Sequence, residues 1–115
     1  MFCFAGVPSK PTNLATTQDL RTSIAIQWNS PTDTGNGLPI QNYTVAISEL
    51  NYSENILCSN SHCSHTYTAD GQNVMFNVDY HVEVIAINTC GMKSSPATIS
   101  HCKYQLRAHL FKIGM

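Results

Sequence analysis

Apolar and polar residues alternate with a period of two in several short runs, and turn-forming residues separate the runs. Ser23-Ile24-Ala25-Ile26-Gln27-Trp28 puts Ile24, Ile26 and Trp28 on one face. The same alternation is longest in 78–88, where Tyr80, Val82, Val84 and Ala86 share a parity. Successive side chains of a strand point to opposite faces, so this pattern predicts half-buried antiparallel strands. Strands are expected at 14–17, 23–29, 39–48, 51–58, 65–69, 78–88 and 97–101. In 39–48, Tyr43, Val45 and Ile47 share one face. The intervening segments 19–22, 30–38, 59–64 and 89–95, and the Asp70-Gly71 pair, are rich in Pro, Asp, Asn, Gly and Ser, which favour turns. Pro8 and Pro11 bracket the entry to the first strand, where a missing N–H is tolerated at a sheet edge. No helix-period run competes before the tail 103–115. There Tyr104, Leu106, Leu110, Phe111 and Ile113 form at most a weak amphipathic turn or two.

The order and spacing of these runs resembles a fibronectin type III domain over residues 8–102. In that family a Trp on the second strand and a Tyr on the third pack together, and Trp28 and Tyr43 match them. The family pattern Tyr-x-Val-x-Val-x-Ala-x-Asn is matched by Tyr80, Val82, Val84, Ala86 and Asn88. Tyr80 would then be the corner tyrosine, its ring buried and its hydroxyl bonded to upstream backbone. The usual Leu-x-Pro-x-Thr-x-Tyr corner reads Val74-Met75-Phe76-Asn77-Val78-Asp79-Tyr80, so Pro and Thr are replaced and the local corner geometry departs from the family's. An immunoglobulin domain proper would place cysteines where Ile26, Val82 and Val84 stand.

The resemblance implies an all-β, immunoglobulin-like (fibronectin type III) seven-stranded sandwich. Strands 14–17, 23–29 and 65–69 would form one sheet, with the other four opposite. Residues 1–7 are expected as a lead-in, 8–102 as the domain and 103–115 as a tail outside the sandwich. Trp28, Tyr43 and Tyr80 form the expected core signature.

The 115-residue length allows one core and not two. Charged residues are 11% of the chain and the formal net charge is −1, so nothing attracts nucleic acid or an anionic membrane. No stretch approaches the roughly 20 apolar residues that span a bilayer. Met1-Phe2-Cys3-Phe4-Ala5-Gly6 is too short for a signal peptide and lacks its basic start. Five cysteines and the sequons Asn42-Tyr43-Thr44 and Asn51-Tyr52-Ser53 nevertheless favour secretion. The expectation that reconciles these features is a piece of a longer extracellular or cell-surface protein. A cytosolic protein with free thiols is the alternative.

The chain carries no Gly-x-Ser-x-Gly, no phosphate-binding glycine loop and no His-Glu-x-x-His. No catalytic residue and no cofactor are expected. Cys58, His62, Cys63 and His65 crowd together, but zinc needs four converging ligands and no second pair is evident, so no metal is expected. Asp33, Asp70 and Asp79 fall in turns, where a short side chain bonds nearby backbone. The loop 89–95 lacks Arg-Gly-Asp, so the integrin-binding mode of some family members has no support.

Family topology would bring Cys58, Cys63 and Cys90 to one pole and Cys102 to the other. One disulfide is expected, with Cys58–Cys63 favoured over either residue joined to Cys90, and Cys3 or Cys102 left as a thiol. Strand parity points Ile85 and Ile87 outward beside Asn42, a face expected to be either sugar-covered or a contact surface. Asn51 lies at the other pole.

The function expected is a non-catalytic binding or spacer module of an adhesion or receptor-type protein. Its partners would be unidentified proteins or neighbouring domains. The alternatives are an accessory module of an enzyme, such as a receptor phosphatase, a kinase or a secreted hydrolase, and an intracellular structural repeat.

Overall fold

Seven strands form in the order β1 (Thr12–Thr17), β2 (Ser23–Asn29), β3 (Ile40–Ile47), β4 (Tyr52–Leu57), β5 (His62–Thr68), β6 (Tyr80–Asn88) and β7 (Ala97–His101). A single 3-10 turn, Ser48–Leu50, lies between β3 and β4. The structure is a computed structural model that describes residues 6–17, 23–68, 74 and 78–102. The expected turns at 19–22 and Asp70-Gly71, the corner residues 75–77, Cys3 and the tail 103–115 lie outside the described residues.

Two antiparallel sheets pack face to face, one ordered β1-β2-β5 and the other β4-β3-β6-β7. This is the expected grouping. The alternation of β2 buries Ile24, Ile26 and Trp28, and that of β6 buries Tyr80, Val82, Val84, Ala86 and Asn88. On β3, beside β6 in the same sheet, Tyr43, Val45 and Ile47 meet the β2 residues from the facing sheet, each with no exposed surface. Trp28 and Tyr43 pack edge to face, with ring centroids 5.3 Å apart. Apolar faces removed from water supply the main drive for the sandwich, at about 25 cal/mol per Å².

The largest departure from expectation is β5. It begins at His62 rather than at 65, because Asn29 pairs with His62 and Trp28 with Cys63. Cys63 is buried in the core beside the tryptophan strand. Gly6, within the segment 1–7 expected as lead-in, is buried. Its carbonyl accepts a hydrogen bond from Asn88 Nδ2 at 3.0 Å. In the β2–β3 loop, Asp33 Oδ1 accepts from the Gly35 amide at 2.9 Å, as its position in a turn predicts. Gly35, Asn36 and Gly37 all take positive φ.

Candidate functional site

The strand registers define two poles and one outward face. Ile40 pairs with Asn88, and Asn42 with Leu57, so the start of β3 and the ends of β4 and β6 share a pole. Tyr80 pairs with His101, which sends Cys102 to the opposite pole.

At the first pole Cys58 and Cys63 form a disulfide with a Cα separation of 6.1 Å. It joins the end of β4, in the four-stranded sheet, to β5, in the three-stranded sheet. Cys90 is disulfide-bonded as well, so the expectation of a single disulfide was one too few. Cys102 is a free thiol and Cys3 lies outside the described residues.

Asn88 organises this pole. Its side-chain amide donates to the carbonyls of Gly6 and Thr34, at 3.0 and 3.2 Å. Its Oδ1 accepts from the backbone amides of Cys90 and Met92, both at 3.0 Å. One fully buried side chain thereby fixes the chain entry, the β2–β3 loop and the β6–β7 loop. An asparagine on the inward parity of β6 was the signal for this role, since a buried amide must find partners. Between the loops at this pole lies a cleft of about 300 Å³, floored by Tyr43 and bordered by Pro39, Ile40 and Asn60.

At the other pole Glu49 grips the start of β6. Its carboxylate accepts from the His81 amide at 2.6 Å and also pairs with His81 Nδ1. The hydrogen bond and the negative charge of Glu49 raise the His81 pKa above its ordinary 6.5, and those bonds lower the Glu49 pKa below 4.5. Asn51 follows the 3-10 turn with φ 50, exposed.

The open side between edge strands β4 and β5 is closed by Tyr52. Its ring stacks on His65 and meets Tyr67 edge to face, with the Tyr67 centroid 4.7 Å away. The Tyr52 hydroxyl donates to Glu54 at 2.8 Å, since a carboxylate only accepts, and it takes a hydrogen bond from His65 Nε2 at 2.5 Å. Burial first, then Glu54, holds the Tyr52 pKa well above the usual tyrosine value. No sequence signal paired these residues, because only the packing of the two sheets brings β4 against β5.

His62 Nδ1 bonds Asn29 Oδ1 at 2.8 Å, and His65 is engaged with Tyr52, so neither stands free beside Cys58 and Cys63. No group of three or more His, Cys, Asp or Glu side chains able to hold a metal occurs among the described residues.

The outward face of the four-stranded sheet carries the row Leu57–Asn42–Ile87 and, beside it, Asn55–Thr44–Ile85. Ile85 and Ile87 occupy the outward positions but are half-buried, partly covered by neighbouring strands rather than fully open. The exposed apolar member is Leu57, with 83% of its surface accessible, a residue the sequence pattern did not single out.

A fibronectin type III domain model matches residues 9–100. The fold is similar to that of the fibronectin type III domain of the human collagen alpha-1(XX) chain, with a TM-score of 0.59 and 19% identity over 93% of this chain and 94% of that one. It is also similar to domains d3–d4 of the rat CD45 extracellular region, with a TM-score of 0.60 and 18% identity over 84% of this chain and 50% of that one. A structure of the titin kinase and its flanking domains matches with a TM-score of 0.59 and 21% identity, over 86% of this chain and 18% of that one. The chain thus spans half or less of the length of the CD45 and titin structures. No curated protein matches the sequence. With the paired sheets, the Trp28–Tyr43 contact and the family match in agreement, the chain belongs to the fibronectin type III family.

Proposed function

We propose that this chain is a non-catalytic spacer and protein-contact module of a longer extracellular adhesion or receptor-type protein. The observation that carries the reading is the covalent link Cys58–Cys63 between the two sheets, together with the second disulfide at Cys90. Disulfides persist in oxidising compartments and are rare in the cytosol. The start of β1 and the end of β7 lie at opposite poles, the arrangement that a module in a linear array needs. Likeness to the CD45 extracellular region supports the same placement at the level of fold.

The thiol state of the native protein tests it. Thiols are blocked at lysis and peptides are mapped without reduction. The reading predicts Cys58 and Cys63 joined. Recovery of both as blocked free thiols would overturn it in favour of an intracellular repeat, the reading that likeness to the titin structure favours.

A further inference from the structure

We propose that Asn42 carries an N-linked glycan that lies across the outward face of the four-stranded sheet and covers the apolar row around it. The inference rests on the extracellular reading and adds to it a modification site with a defined task.

Asn42 opens the sequon Asn42-Tyr43-Thr44 near the start of β3. Tyr43 is in the core, so Asn42 and Thr44 face outward. The register places Asn42 directly between Leu57 of β4 and Ile87 of β6. Directly opposed residues of an antiparallel pair have Cβ atoms about 4.5–5.5 Å apart, so a sugar on Asn42 starts within contact of both apolar side chains. Leu57 is 83% exposed and Ile85 lies one step along the same face. A bulky, solubilising saccharide rooted in the centre of such a row hides it from other proteins. Asn51, the other sequon asparagine, sits in a left-handed turn at the far end of β4, and a glycan there would leave this row bare.

The geometry also dates the modification. Both backbone edges of β3 are occupied, by β4 and by β6. The sequon hydroxyl, Thr44 Oγ1, donates to Asn55 Oδ1 at 2.9 Å. A transferase must grip the acceptor backbone and that hydroxyl, so Asn42 accepts its sugar before β3 and β4 pair. The modification therefore belongs to the nascent chain.

The test is secretion of the whole chain from a glycosylating host as the parent, N42Q, N51Q and N42Q with L57S. Peptide mapping after peptide N-glycosidase treatment reads occupancy, and size-exclusion elution reads self-association. The proposal predicts Asn42 occupied, a shift of N42Q toward larger species, and return to the parent elution when L57S is added. Trimming the sugar from folded parent protein repeats the test should N42Q fail to fold. Refolded bacterial protein offered to the transferase in vitro should stay unmodified at Asn42 and accept sugar there after reduction and unfolding. An unoccupied Asn42 in secreted protein whose Cys58–Cys63 bond has formed overturns the proposal and leaves the extracellular reading standing. An occupied Asn42 whose removal changes neither elution nor solubility overturns the covering role.

Discussion

Trp28 carries more of the core than any other single side chain described. It is fully buried, and its ring meets Tyr43 across the gap between the sheets. Trp28→Ala should cost about 3–5 kcal/mol, as large-to-small core changes do. Domains of this kind have only about 5–15 kcal/mol in total, so urea denaturation should show a variant near or past its folding limit. Tyr43→Phe should behave in the opposite way. The Tyr43 hydroxyl and Trp28 Nε1 are both buried without a hydrogen-bond partner of normal geometry. Burial raises the Tyr43 pKa and the Trp28 indole offsets this only in part. Deleting a buried unpartnered hydroxyl removes a desolvation cost of about 1–3 kcal/mol, so the same denaturation should show Tyr43→Phe at least as stable as the parent. Two glycines of one turn should also separate. A methyl group on Gly35 would lie 2.5 Å from the Gly6 carbonyl oxygen and 2.8 Å from Asn88 Nδ2, at φ +88. Gly37 has φ +72 but open space around it. Gly37→Ala should cost only the left-handed backbone term of about 1–2 kcal/mol. Gly35→Ala should cost clearly more, because the Asn88 contacts must shift as well.

Among the elements, β2 could be bounded from sequence because its inward residues Ile24, Ile26 and Trp28 are plainly apolar and its flanks plainly polar. The same logic failed at β5. Cys63, His65 and Tyr67 are its inward positions, and a run reading His-Cys-Ser-His-Thr-Tyr-Thr shows little apolar alternation. What extends β5 to His62 is pairing with the tryptophan strand and the disulfide to Cys58, both long-range facts. The core signature was legible because it is local alternation repeated in a known order. Asn88 was legible as a buried amide in need of partners, but the identity of those partners, the Tyr52 clasp and Leu57 exposure were not, because each depends on which distant segments lie side by side.

The Cys58–Cys63 ring is small, with a sequence separation of 5. The chain-entropy relation gives about 2 kcal/mol for such a ring, so Cys58→Ser with Cys63→Ala should lose at least that in chemical denaturation. The Glu49–His81 pair ties the 3-10 turn to β6 and makes its contribution depend on pH. The His81 part is complete below its unfolded value of 6.5 and is lost as pH rises through its raised folded value. The Glu49 part is complete above its unfolded value of 4.5 and is lost as pH falls through its lowered folded value. Both are fully present between those two unfolded values. Asp79 adds a smaller upward push on His81. Since both groups face solvent, the stability change is small and the cleaner readout is NMR titration. The His81 midpoint should fall toward its ordinary value in Glu49→Gln and stay put in Glu83→Gln.

For the whole molecule, the direction of the two outer strands matters. β1 starts at the pole of Asn29 and ends toward Ala25, and β7 runs from Val84 to Tyr80, so both travel from the first pole to the second. They lie side by side, with Thr16 Oγ1 and His101 Nδ1 2.7 Å apart. A pull on the two chain ends therefore acts along the strands and across the ladder hydrogen bonds, which lie perpendicular to them. Tension drags β1 past β2, and β7 past β6, so that a whole row of bonds must break together rather than one after another. Gly6, anchored by Asn88, takes the load before β1 does. In single-molecule pulling under reducing conditions, so that no disulfide carries the load, the parent should yield in one abrupt event. Asn88→Ala should lower the force of that event, because the strain then reaches β1 without first breaking the anchor.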